Sequence, residues 1–269
     1  MIRKYFHDGI TAILFLKIPS LLLGSLLLIS ACNPPETAAP IVEISPTPTA
    51  TSTPTPTVIW FPPTSTPTLI PTIQITPTQD YRPDLGEVIL QDDFSDPGSW
   101  TLGKTSSGNI ALGLNELTIA IAEPKAYDYS VRQEPIFNNF YMEITASPML
   151  CQGEDQYGIL IRMSSPGDFY RYSITCDGQV RLDRVVQGAA SSPQPWMMTG
   201  SVPPGAPITA RLGVWASDDE FRFFINDQFQ FSVKDPLIQS GNIGLFARSM
   251  GETAVTVNFS DLIVRQIEQ

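Results

Sequence analysis

Four residues near the middle of this chain have side chains suited to holding a small polar molecule: Arg162, Tyr170, Tyr172 and Asp183. Tyrosine offers a flat apolar ring with a polar tip, while Arg and Asp supply directional hydrogen bonds. Sugars present that same alternation of apolar faces and hydroxyls. Trp196, expected in a Pro-rich loop, SSPQPWMM, is a further candidate stacking platform. The competing reading is a solvated sheet face on which Arg162 pairs with Asp183 at little gain in stability. Asp155 and Asp168, with Glu154, are loop acids of the type that can hold calcium, but loop acids are ordinarily just solvated, and no contiguous D-x-D-x-D-G loop is present. Hydrolysis would need two carboxylates about 5–5.5 Å apart for retention or about 6.5–9.5 Å for inversion. Asp183 with Glu143 is the one pair to consider. The only histidine is His7; if it leaves with a signal peptide, Ser-His-Asp and Cys-His catalysis and His-ligated metals leave with it.

Strands must position these residues. From about Leu85 onward, short runs of Val, Ile, Phe and Tyr alternate with Gly, Pro, Asn and Asp, and no stretch keeps a 3.6-residue period. Thirteen strands are expected between Glu87 and Gln266, which indicates a β-sandwich or barrel. Asp177-Gly178 reads as a type I′ hairpin turn, and Asn226-Asp227 as a weaker one. With Met163 set opposite Phe169 and Cys176 opposite Gln179, Tyr157, Ile159, Ile161 and Leu182 share one face. Arg162, Tyr170, Tyr172 and Asp183 share the other, because successive side chains point to opposite sides. That register also brings Cys176 opposite Gln156, within loop reach of Cys151. An oxidising compartment favours a disulfide between them, with two buried thiols as the alternative.

The N-terminal third has another texture. Arg3 and Lys4 precede an apolar stretch from Ile10, interrupted by Lys17, that ends in Ile29-Ser30-Ala31-Cys32. Positive start, apolar run and small residues are the parts of a secretory signal. With a cut just before Cys32 the segment resembles the lipobox of bacterial lipoproteins, which implies lipidation of Cys32 and a membrane-anchored protein on the extracytoplasmic side. An uncleaved anchor is the alternative, since Ile10 to Ala31 approaches the ~20 residues that span a bilayer. Residues 33–84 hold 13 of the 25 prolines, interleaved with threonine, and read as a disordered Pro/Thr-rich linker favouring solvated polyproline II. The division is therefore 1–32 signal, 33–84 linker and 85–269 folded domain.

Within the folded part, DDFSDPGSW (92–100), YGILIR (157–162), DFYRYSITCDGQVRL (168–182), FRFFINDQFQF (221–231), GNIGLFARS (241–249) and NFSDLIV (258–264) are similar to segments of concanavalin A-like domains of bacterial surface proteins. The resemblance covers about residues 85–269. It implies an all-β jelly-roll sandwich of two antiparallel sheets, as in laminin G-like domains, legume lectins and the 3-keto-disaccharide hydrolase group. The Glu-x-Asp-x-x-Glu run of related glucanases is absent. Gly158 to Arg162 fits the Gly-x-x-x-Arg strand of the hydrolase group, but Tyr170 and Tyr172 stand where that group has an acid and an amide.

The expected function is a non-catalytic binding module for carbohydrate or another cell-surface ligand, with the membrane as partner through its lipid. The alternatives are a glycoside-processing enzyme on the same fold and a protein–protein or adhesion module of an envelope assembly. A net charge of −11 argues against nucleic acid as partner.

Overall fold

A computed structural model describes residues 79–268. The signal segment, Cys32 and the linker as far as residue 78 lie outside the described residues. Every regular element described is a strand. In chain order they are β1 (Leu85–Asp92), β2 (Gly103–Lys104), β3 (Gly108–Leu112), β4 (Leu117–Ile121), β5 (Tyr127–Val131), β6 (Phe140–Leu150), β7 (Gln156–Ser165) and β8 (Asp168–Thr175). There follow β9 (Gln179–Val186), β10 (Ala189–Met198), β11 (Ala210–Ser217), β12 (Glu220–Ile225), β13 (Gln228–Lys234), β14 (Asn242–Arg248) and β15 (Val255–Ile267).

The strands form two antiparallel sheets. One has nine strands, in the order β13-β12-β11-β6-β15-β4-β3-β2, with β1 also pairing β15. The other has six, in the order β10-β9-β8-β7-β14-β5. This is the concanavalin A-like jelly-roll architecture.

Alternation sorts side chains between the core and the two outer faces. From the nine-stranded sheet, Phe140, Met142 and Ile144 of β6, Val214 of β11 and Phe221 and Phe223 of β12 point inward, all fully buried. The six-stranded sheet answers with Tyr157, Ile159, Ile161, Tyr170, Tyr172, Ile174, Val180 and Leu182. Aromatic pairs tie the layers together: Tyr170 on Phe221 and Tyr172 on Phe223, each with ring centroids 4.7 Å apart.

The hairpin register differs from the expected one by a single residue. Gly178 alone in the β8–β9 turn takes a positive φ, 88°. A type I′ turn needs two such residues. The loop instead holds three residues, and Ile174 pairs with Val180. At the other end, β7 and β8 meet at a two-residue Pro166-Gly167 turn, with Ser165 opposite Asp168. Two extra residues then bulge from β7, and the pairing resumes with Ile161 opposite Tyr170. A shift of one residue sends every side chain to the opposite face. The Asn226-Asp227 turn behaves the other way: both residues are left-handed, φ 49° and 64°, and close a true two-residue hairpin.

β10 was not expected as a strand. Trp196 therefore stands on a sheet edge rather than in a loop, and the prolines at 193 and 195 are tolerated because an edge strand leaves some backbone N–H groups unpaired.

Candidate functional site

The shifted register dissolves the expected cluster. Tyr170 and Tyr172 lie inside the sandwich. The Tyr170 hydroxyl donates to Asp235 Oδ1 at 2.8 Å, and burial pushes both phenols upward in pKa. Arg162 is fully buried, with a left-handed φ of 50° at the β7 bulge. Its guanidinium donates to the carbonyls of Asp218 (2.7 Å), Ile238 (3.1 Å) and Asn138 (2.9 Å) and lies 4.6 Å from the centre of the Phe221 ring. It is a structural clamp at one end of the core, and burial lowers its pKa. Asp183 alone of the four reaches the outer surface of the six-stranded sheet. Glu143 faces outward from the nine-stranded sheet, where it accepts from the Tyr141 hydroxyl. The core separates Asp183 from Glu143, so they cannot flank one scissile bond.

The two acids expected at a calcium site are also apart. Asp155 precedes β7 and accepts from the backbone N–H of Gln152 (3.0 Å) and Met250 (2.8 Å). Asp168 opens β8 at the far end of that hairpin, accepting from Ser165 Oγ (2.6 Å) and Gln187 N–H (2.8 Å). Each carboxylate ties a loop, and no group of three or more metal-ligating side chains gathers among the described residues. Cys151 and Cys176 do form the expected disulfide, with Cα atoms 5.8 Å apart.

The outer face of the six-stranded sheet is where polar chemistry concentrates. One cross-strand row runs Tyr127, Arg248, Gln156, Thr175. The next runs Tyr129, Phe246, Gly158, Ser173, Arg181, and a third includes Leu160, Arg171 and Asp183. Gly158 and Ser173 leave the middle of the surface low. No larger residue fits at 158: φ is 154°, and a Cβ there would lie 2.0 Å from the Tyr172 carbonyl oxygen. Beside this floor is a pocket of about 340 Å³, lined by Glu154, Gln156, Thr175, Arg181, Trp196, Arg248 and Met250.

Asp183, 1% exposed, organises the arginines. Its Oδ2 accepts from Arg171 Nη2 at 2.6 Å and Arg181 Nη2 at 2.8 Å, while Oδ1 accepts from Ser192 Oγ at 2.7 Å. The Arg181 guanidinium lies over the Trp196 ring, 4.4 Å from its centre. Arg248 forms no ion pair among the described residues. Burial lowers its pKa, and the nearby charges of Arg171 and Arg181 lower it further. Buried polar atoms normally find partners. Here Gln156 Oε1, Ser173 Oγ, Arg181 Nε and the Tyr127 hydroxyl have none, as is also true of the Tyr157 and Tyr172 hydroxyls and Arg162 Nε in the core.

No protein-family model and no curated protein matches the chain. Solved structures do. A β-glucanase from Bacillus licheniformis aligns with 10% identity and a TM-score of 0.52, over 68% of this chain and 99% of that one. A protein with a galectin-like fold from Bacillus subtilis gives 11% identity and a TM-score of 0.52, over 69% and 99%. A structure described with endo-acting O-glycanases that initiate mucin breakdown in the human gut microbiota gives 10% and 0.53, over 68% and 100%. These likenesses show the fold.

Sequence reasoning missed Arg171, Arg248, Gln156 and Ser173. The signal was present in FYRYS and in GLFARS, where arginine alternates with aromatic residues in strands too apolar to be freely solvated. Only the register decides which of those residues face out.

Proposed function

We propose that this chain is a membrane-anchored, extracytoplasmic binding module that takes carbohydrate on the outer face of its six-stranded sheet without transforming it. The observation that carries the reading is the group of four buried, unpartnered polar atoms on a face that also bears Trp196 and a pocket of about 340 Å³. An unpartnered buried polar atom costs about 1–3 kcal/mol. A hydroxyl-rich ligand would supply both donors and acceptors. Two of the similar structures have names tied to saccharide chemistry, a β-glucanase and an endo-acting O-glycanase, which supports this use of the fold. Asp183 is 1% exposed and held by Arg171, Arg181 and Ser192, which favours binding over hydrolysis.

Anchoring rests on Cys32 and the apolar segment before it. Lipid labelling of wild type and Cys32→Ala tests that part; equal labelling refutes it. A glycan array with the full chain and Trp196→Ala tests the binding. Wild-type signal that falls in the variant is expected, and no glycan signal in wild type would instead favour a protein partner.

A further inference from the structure

We propose that the ligand of this face is an anionic saccharide, one bearing a carboxylate or sulfate, and that Arg248 with Arg181 holds the negative group. This rests on the carbohydrate reading above and names the class of sugar.

The chain is strongly acidic overall, at a net −11, yet three arginines converge on this one surface. Asp183 neutralises only part of that charge, sharing one oxygen between Arg171 and Arg181. Its other oxygen accepts from Ser192, and Arg248 makes no ion pair with it among the described residues. Glu154 lines the pocket together with Arg248 and Arg181 but makes no ion pair with either, so two guanidinium groups face one carboxylate there. Cations placed together repel unless an anion joins them. A neutral sugar could fill the hydrogen bonds but would leave that charge uncompensated.

The pocket also contains the means to hold the remainder of a sugar ring. Gln156 is 3% exposed and lines it with Oε1 unpartnered, an acceptor for a hydroxyl. Arg181 Nε is an unpartnered donor on the same wall. Guanidinium groups bind carboxylate and sulfate with paired, charge-assisted hydrogen bonds, which sets arginine apart from lysine for this task.

The test is titration calorimetry of the full chain in detergent. The panel comprises an oligogalacturonate, its uncharged methyl ester, a sialic acid-terminated glycan, a chondroitin sulfate oligosaccharide and neutral galacto-oligosaccharides, at low and high salt. The expected result is at least tenfold tighter binding of one charged class than of the neutral sugars, weakened by salt. Arg248→Gln should remove the preference, and Arg248→Lys should restore only part of it. Carboxylated and sulfated ligands both uphold the proposal, and their relative affinity identifies the group. Equal affinity for charged and neutral sugars, unchanged in Arg248→Gln, overturns it while leaving carbohydrate binding intact. No binding of any sugar overturns both readings.

Discussion

The two outer faces of the sandwich use the same residue types to opposite ends. On the nine-stranded sheet Tyr141, Trp215, Phe224 and Phe229 make an aromatic surface, and the chain itself covers it. Tyr81 stacks on Phe229 with ring centroids 4.1 Å apart. Arg82 donates to the Tyr141 hydroxyl and to Asp227, each at 3.0 Å. The Pro83 carbonyl accepts from Trp215 Nε1 at 3.1 Å. Arg222 lies 4.4 Å from the centre of the Trp215 ring, paired with Glu220 and bonded to the Tyr81 carbonyl. The acids Glu143, Glu220 and Asp227 each meet an arginine, and the Tyr141 and Trp215 donors find acceptors. On the six-stranded sheet arginines outnumber their acids, and polar atoms are buried without partners. The comparison teaches that arginine beside an aromatic ring is not by itself a mark of function; unpaired guanidinium charge beside an open pocket is the feature that sets the second face apart.

The largest break in this contrast should come from Asp183→Ala. Removing it leaves Arg171 and Arg181 facing each other with little access to water. Loss of one member of such a buried pairing costs about 3–5 kcal/mol, read as a lower midpoint in urea denaturation. Asp227→Ala on the other face should cost only about 1 kcal/mol or less, because Asp227 is 44% exposed in its side chain. Equal losses would erase the distinction between a concentrated and a distributed charge network.

Next is the disulfide. It closes a loop across 25 residues between the loop before β7 and the end of β8, beside the pocket wall. Constraining the unfolded chain in this way contributes roughly 3 kcal/mol. Cys151→Ser with Cys176→Ser should lower stability by about that amount. It should also loosen the Gln156 and Thr175 wall, raising hydrogen exchange there and not at Tyr81–Pro83.

Strand identity was legible in the sequence for all but β10 and the two-residue β2, and side-chain direction was not. Alternation in FRFFI and VTVNF marks strands whatever their neighbours. The opening DDFSDPGSW resembled a fold-level segment, and the structure shows what it does: Asp92 accepts from Phe94 N–H (2.8 Å), Trp100 Nε1 (3.0 Å) and Arg132 Nε (2.9 Å), clasping the first loop to the sheet. Direction depends on whether a turn holds two residues or three. Asp177-Gly178 satisfies the local pattern of a two-residue turn, yet Cys176 is drawn into the loop, where its sulfur bonds Cys151. That contact is long-range, so local signals cannot report it. The β7 bulge at Arg162 is likewise fixed by carbonyls from three distant segments. One residue of register moved Tyr170 and Tyr172 into the core and brought Arg171 out.

A titration sharpens the contrast further. Burial raises the Tyr127 phenol to about 12 from its ordinary 10.0. Between those values the unfolded chain loses this proton and the folded chain keeps it, so the contribution is fully present below pH 10 and is lost as pH rises toward 12. Tyrosine absorbance should show a wild-type ionisation near pH 12 that is missing in Tyr127→Phe. Stability above pH 10 should fall less steeply in that variant.

Tyr81→Ala should cost about 1–2 kcal/mol, the sum of a stacked aromatic pair and some lost burial. The effect belongs to the self-covered face and should leave glycan binding unchanged.

The smallest stability effect is the most telling. Arg222→Gln removes a guanidinium that an acid, a carbonyl and an indole all engage, and should cost about 1 kcal/mol. Arg248→Gln removes one that no acid engages and that two neighbouring arginines oppose. It should leave the urea midpoint unchanged or slightly raised while the preference for charged sugars is lost. A residue kept for folding loses stability when it is replaced, whereas one held at a cost for a ligand gives stability back. Measured side by side, these two substitutions separate the faces by purpose. A clear destabilisation by Arg248→Gln would mean that the six-stranded face is satisfied internally after all.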